Sequence, residues 1–300
     1  MQGFDWNDLK FFLSIARTGK LTTAARQLDV DHTTVSRRIA ALEDNLKATL
    51  FERSPQGYKL TRAGERLMAR AEMIETTAQQ ASSEISEADL DLTGSIRIGA
   101  PDGFGSIFLA PRLWTLCRRH PGLDVDLVAM PRQFSLSKRE ADMAILLSRP
   151  SAGRLKARKL TDYVLGLFAS PDYLARRPAI EKPSDLKGHR LIGYIEDLIF
   201  TPELDYLPLI EKDLKANFAS TNLIAQLNAT RAGAGVCVLP YFITAGMPDL
   251  VPVLPAEVRI ERTFWLITHA DLAGMLRIRV TSDFIAEAVQ EARALFLPEG

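Results

Sequence analysis

The chain has 300 residues, and its 37 Lys and Arg balance 37 Asp and Glu, so its formal net charge is zero. That balance excludes a wholesale nucleic-acid coat, while the length leaves room for two or more domains with a sizeable core. An apolar fraction of 47% and a charged fraction of 25% are ordinary for a soluble globular protein, and no apolar run is long enough to span a bilayer. The charge is unevenly spread. Lys and Arg are in excess over residues 1–70, whereas residues 71–93 hold Glu72, Glu75, Glu84, Glu87, Asp89 and Asp91 with no basic residue. Only the head is then suited to phosphate. The N-terminus (MQGFDWNDLK) has neither a positive n-region nor an apolar h-region, so no signal peptide is expected and a cytoplasmic location follows. Cys117 and Cys237 sit far apart among apolar neighbours and read as buried free thiols.

In chain order, Leu9, Phe12, Leu13 and Ala16 make the apolar stripe of a first helix, which Gly19 is placed to end. The most informative stretch follows, LTTAARQLDVDHTTVSRRIAALEDNLKATLFER from Leu21 to Arg53. It reads as two short helices and a tight turn. Ala24 and Ala25 permit a close crossing; Leu28, Val30, Val35, Ile39 and Leu42 fill the angle; Asp31 is a cap for the second helix. Asp29 stands where the turn often carries Gly. Subtracting the apolar set leaves His32, Thr33, Thr34, Ser36, Arg37 and Arg38 exposed at the start of the second helix. Such side chains suit base edges and phosphates in the major groove. An ordinary amphipathic hairpin with a solvated basic face is the alternative. Residues 50–60 then form a two-stranded wing around Pro55-Gln56-Gly57, with Arg53 and Lys59 towards the DNA backbone or minor groove, and Thr61 caps the next helix.

That helix carries Leu67, Ala71, Ile74, Ala78, Ala81, Ile85 and Ala88 at alternating steps of four and three. The spacing is a coiled-coil seam, which predicts dimerisation through a second copy; a helix packed on its own body is the other solution. Beyond Gly94 the pattern turns to strand–helix alternation. Strands are expected at 95–99, 124–128, 142–147, 163–168, near Phe218, at 236–239 and 264–268. Helices are expected at 107–119, 222–232 and 276–297. This implies an α/β body with a parallel-type sheet, crossed twice between two lobes that leave a cleft.

With these pieces in order, the chain resembles the LysR-type transcriptional regulators over essentially its whole length. AARQLDVDHTTVSRRIAALEDNLKATLFER followed by LTRAGE is similar to the family's N-terminal signature. IRIGAP, LAPRL, RHPGLDVDL, ADMAILL, TNLIAQLNATRAGAGVCVLP and FWLITHADL resemble its effector-domain landmarks. The resemblance implies a multidomain α/β chain: a winged helix-turn-helix over 1–61, a linker and dimerisation helix over 62–91, and an effector domain over 92–300. The last would be like a periplasmic binding protein of type 2, with lobe I at 92–163 and 264–300 and lobe II at 164–263. It implies double-stranded promoter DNA, a small-molecule effector, further copies of the chain in a dimer or tetramer, and RNA polymerase as partners. His32, Thr33, Ser36 and Arg37 match base-contacting positions, and Arg38, Arg53 and Thr61 match phosphate-contacting ones. The cleft would be lined by Ala100, Asp102, Phe104, Ser106, Met130, Pro131, Leu147, Ser148, Phe168, Thr221 and Asn222. Helix starts near 100–106 and at 221–222 favour a polar, electron-rich ligand, held by Ser106 and Thr221. Asp102 departs from the hydroxyl often found there and argues against a plain dianion; a solvated or capping Asp is the alternative reading.

Enzyme signatures are missing. The sequence holds no Gly-x-Ser-x-Gly elbow, P-loop or His-Glu-x-x-His, and its four His are scattered without ligand spacing, so no catalytic residue, metal or cofactor is expected.

Overall fold

A computed structural model describes residues 5–54, 57–86, 92–130, 141–151 and 153–298; at 69, 76 and 79–86 only the backbone is described. The chain divides into two compact units, residues 1–88 and 89–300.

In the first unit, α1 (Asp8–Thr18) ends at Gly19, whose φ of 68° is the left-handed geometry that an absent Cβ permits. Two helices follow, α2 (Leu21–Gln27) and α3 (His32–Leu46). Between them Asp29 takes φ 52°, so the turn uses left-handed backbone without glycine. The Asp31 carboxylate accepts the Thr34 N–H at 2.8 Å and starts α3 as expected. Phe12, Ala24, Val35, Ile39 and Leu42 are essentially fully buried and bind the three helices together. Strands β1 (Phe51–Ser54) and β2 (Gly57–Leu60) pair antiparallel; the turn residues Pro55 and Gln56 lie outside the described residues. The Tyr58 N–H donates to the Gly19 carbonyl at 2.8 Å, and a Cβ on Gly57 would stand 2.3 Å from that oxygen. Only glycine lets the hairpin approach α1 so closely.

Helix α4 (Arg62–Ser86) follows Thr61, whose hydroxyl accepts the Gly64 N–H at 3.0 Å. Its seam needs a correction. Ala71 is 1% exposed, and Leu67 and Ile74 pack beside it on the core of the head itself. The Arg17 guanidinium on α1 grips Glu75 of α4 through two bonds of 3.2 and 2.7 Å. The first half of the stripe thus packs at least partly within the chain, Leu67 and Ile74 remaining half-buried, while Ala78 is exposed. The side chains of Ala81 and Ile85 lie outside the described residues.

In the second unit β3 (Gly94–Ala100) pairs parallel with β4 (Leu123–Ala129) and β5 (Met143–Leu146). Between β3 and β4 the chain is helical, through a wide π-type segment (Phe104–Leu109) and then α5 (Ala110–Arg119). The helix therefore opens earlier than the expected 107. A long strand β6 (Leu155–Ala169) leads to the turn α6 (Pro171–Leu174), strand β7 (Leu191–Gly193) and the turn α7 (Leu207–Ile210). Next come β8 (Phe218–Ala219), α8 (Leu223–Arg231), β9 (Val236–Pro240), the turn α9 (Tyr241–Thr244), β10 (Val251–Val253) and β11 (Ile260–His269). Helix α10 (Leu276–Glu291) and the turn α11 (Arg293–Phe296) close the unit, so the expected single helix over 276–297 breaks at Ala292.

Among the described residues the strands run β4-β3-β5-β11-β6-β9-β7-β8, with β10 beside β6. The sheet is mixed rather than parallel throughout, because β11 runs antiparallel to both β5 and β6, and β6 to β9. These two long strands carry the chain between lobes. Residues 155–159 of β6 share β11 with β5, whereas Leu165–Phe168 pair with β9. The register slips between Phe264 and Trp265, at the crossing level. An aromatic cluster fills that level: Tyr163 stacks on Phe264 at 4.1 Å, Phe104 lies 4.7 Å from Phe264, and Phe242 lies 4.8 Å from Phe296.

Candidate DNA-reading face and interlobe cavity

Burying Val35, Ile39 and Leu42 turns the opposite side of α3 to solvent. His32, Thr33 and Arg37 are exposed there, with Ser36 half-buried beside them. Positions 32, 33, 36 and 37 share one helical face. The Thr33 and Thr34 hydroxyls both donate to Asp31, which holds that carboxyl well below the usual carboxylate range. They therefore present acceptors, not donors, to an approaching base. On the wing Arg53 and Lys59 are exposed, and the Arg53 guanidinium lies over the Tyr58 ring at 5.6 Å.

Two further residues of the expected DNA set are bonded within the head. Arg38 bonds Asp5 at 3.0 Å and Asp8 at 3.1 Å and lies against the Phe11 ring. Asp8 is 2% exposed; burial raises its pKa, and Arg38 is the charge that compensates it. Arg38 thus joins α3 to α1. The Thr61 hydroxyl donates to the Thr49 carbonyl at 2.7 Å and its N–H to the Leu50 carbonyl at 2.9 Å. Neither donor remains for a phosphate. One residue that sequence reasoning passed over is Glu43, whose carboxylate accepts the Leu50 and Phe51 N–H groups at 2.6 and 3.2 Å and so aims the wing.

Between the lobes lies a cavity of about 30 Å³, room for little more than one water molecule. Asp102, Phe104 and Leu147 line it as expected. The rest of its wall was not foreseen: Tyr163, Tyr194, Phe200, Tyr206, Phe242 and Phe264 surround it with rings. Among the described residues no basic side chain lines it. The other expected residues stand outside this wall. Ala100 is buried at the end of β3, Ser106 is exposed, and Phe168 is buried against Tyr241. Met130 packs on a separate small cluster, and Ser148 and Thr221 are half-buried. The Asn222 side-chain oxygen caps α8, accepting the Ala225 N–H at 2.9 Å. Pro131 lies outside the described residues.

Asp102 is not a solvated rim residue. It is 5% exposed, and its carboxylate accepts the Leu223 N–H at 2.6 Å, with the Ile224 and Gly103 N–H groups also directed at it. Burial raises its pKa and these amides oppose the rise. A roomier hollow of about 410 Å³ adjoins in the second lobe, sharing Tyr194, Leu204 and Tyr206, with Lys212 and Lys215 at its edge.

Cys237 is buried, and its thiol pKa is pushed up to about 12 by that burial, which keeps it protonated and inert. Cys117 is half-buried. Among the described residues no cluster of three or more His, Cys, Asp and Glu side chains could hold a metal, and no helix is long and apolar enough to cross a membrane.

Residues 6–65 match the model of the bacterial regulatory helix-turn-helix protein of the lysR family, and residues 91–290 match that of the LysR substrate binding domain. The HTH-type transcriptional activator TtdR of Escherichia coli is 29% identical over 300 residues, spanning 95% of this chain and 93% of TtdR. The structure of CrgA, a LysR-type regulator from Neisseria meningitidis, is 24% identical with a TM-score of 0.58, covering 94% of this chain and 97% of CrgA. A point variant of full-length OxyR from Pseudomonas aeruginosa shares the fold at a TM-score of 0.72 and 20% identity, over 96% and 98% of the two chains. The exposed polar face on α3, the hairpin wing and the two-lobed body thus meet in one chain, which belongs to the LysR family of DNA-binding transcriptional regulators with an effector-binding domain.

Proposed function

We propose that His32, Thr33, Ser36 and Arg37 read base edges in the major groove, with Thr34 beside them and Arg53 and Lys59 on the DNA backbone. The observation that carries this reading is the exposed set on α3 opposite Val35, Ile39 and Leu42. Arg37 offers the fork of donors that suits a guanine edge. Two copies joined along α4 from Ala78 onward, through Ala81 and Ile85, would set two such faces on two half-sites, and a pair of dimers would make the tetramer. The effector occupies the space between the lobes against Asp102, Phe104 and Leu147. The protein works in the cytoplasm as a regulator and not as an enzyme, with RNA polymerase as its further partner at the promoter.

The test selects the preferred operator from random duplexes and then titrates it and a random duplex at fixed salt. Arg37→Ala lowers specific affinity by about 1–3 kcal/mol and relaxes base preference, whereas Arg53→Ala weakens both duplexes alike. Equal losses on both duplexes for Arg37→Ala would remove its base-reading role.

A further inference from the structure

Helix α8 begins at the cavity, and the N–H groups of its first turn have no partners within the helix. Such a start is where a free carboxylate would settle, because the donors and the helix dipole both favour negative charge. Here the place is taken. The Asp102 carboxylate, carried on the segment that follows β3, reaches Leu223 across 121 positions of sequence and bonds its N–H at 2.6 Å. Asp102 is only 5% exposed, and the hollow beside it is only about 30 Å³. Among the described residues no Lys, Arg or His lines that hollow, and Asp102 is its one charged group. The amides of Gly103 and Ile224 converge on the same carboxylate.

We propose that Asp102 is a tethered ligand of the interlobe cleft: its carboxylate fills the site at the start of α8, ties the two lobes together and excludes free carboxylates from the wild-type protein. The proposal rests on the reading of this domain as effector-binding and narrows the ligand class to molecules that bring no carboxylate to α8. A second anion there would meet Asp102 in a low-dielectric setting with no cation among the described lining residues to pair with either charge.

Cutting Asp102 back to alanine should turn the tethered ligand into a vacancy that acetate can fill. The full chain is followed by thermal unfolding in rising acetate, against chloride at equal ionic strength. Asp102→Ala is expected to lose about 3 °C or more, and acetate to restore it saturably, while the wild type responds no more to acetate than to chloride. Adding Leu223→Pro removes the principal N–H donor. Proline is suited to the first helical position, and Asn222 already holds the extended backbone (φ −108°, ψ 121°) that a following proline requires. The double variant should lose the acetate response. Acetate stabilising the wild type as strongly as Asp102→Ala, or failing to stabilise Asp102→Ala, would overturn the proposal.

Asp102→Asn supplies a second measurement that survives poor folding of the alanine variant. It keeps the size, leaves no room for acetate and puts an NH2 donor among amide donors where a second oxygen accepted, so its midpoint should fall without rescue. An Asn variant as stable as the wild type would show that the amides at α8 do not need two accepting carboxylate oxygens and would equally overturn the proposal. The effector reading falls on a different result, namely a ligand whose affinity ignores Leu147→Trp in the cavity wall, and that result leaves the acetate experiment untouched.

Discussion

The proposed DNA-reading face and the interlobe cavity are built in opposite ways. On the head, the outward residues come from one helix and one hairpin between His32 and Lys59, and they are what remains when the buried set is removed. The cavity wall draws on Pro101–Phe104, Leu147, Tyr163, the 194–206 stretch, Leu223, Pro240, Phe242 and Phe264. One site is a surface left over from local packing. The other is packing itself, so binding there competes directly with the core.

That contrast predicts where substitutions fall hardest. Phe264→Ala removes a ring that is 2% exposed and stacked at 4.1 Å on Tyr163, and should cost the lobed domain about 3–5 kcal/mol. Urea unfolding measures it. A loss below about 1 kcal/mol would mean that the cavity wall is loosely packed and the contrast with the head is false.

The next effect separates two adjacent arginines. Arg38→Ala strips the buried Asp8 carboxylate of its ion pair and should lower the head's stability by about 2–3 kcal/mol, whereas Arg37→Ala should leave stability unchanged and lower DNA affinity. Thermal melts of both variants beside operator titrations decide it. Similar melts for the two would return Arg38 to the exposed set.

These two residues show what the sequence could and could not reveal. The Asp31 cap, the left-handed Asp29, the stop at Gly19 and the wing are contacts between near neighbours, and residue type with spacing identifies them. The pairing of Arg38 with Asp8 spans 30 positions, and that of Asp102 with Leu223 spans 121. Neither leaves a periodic trace. Tyr194, Phe200 and Tyr206 lie in a stretch of short turns without a repeat, so nothing in their spacing marks them as cavity wall. The seam on α4 left two solutions open for another reason: steps of four and three serve a helix lying on its own domain as well as one lying on a partner. Only the burial of Ala71 distinguishes them.

A smaller effect sharpens the division along α4. Ala78→Glu puts charge at the exposed Ala78 position of the stripe and should weaken self-association by about tenfold, roughly 1.4 kcal/mol, while the head remains folded. Sedimentation equilibrium reads the association, and a head that melts early in this variant would extend the self-packed half beyond Ala78.

The smallest effect concerns Asp162 at the strand crossing. Burial pushes its pKa up, but bonds from Lys159 at 2.7 Å and Thr263 at 2.6 Å outweigh burial and hold it below the usual value. A depressed carboxyl contributes stability above its unfolded pKa of about 4, and that contribution is lost as pH falls through the folded value. Asp162→Asn should therefore flatten the acid side of the urea-midpoint curve below about pH 4. Identical acid slopes for variant and wild type would remove Asp162 from the crossing's support.

The grip of the head on α4 has a mechanical consequence. The helix is 25 residues long, about 37 Å, and its first half is clamped by Ala71 in the core and by Glu75 on Arg17. A clamped rod transmits torsion without slack, so the angular phase between the reading face and whatever is held near Ser86 is set by the number of residues between them. Inserting one residue after Ala78 would rotate everything beyond it by about 100° while the head kept its fold, and inserting a full heptad would restore the phase to within about 20°.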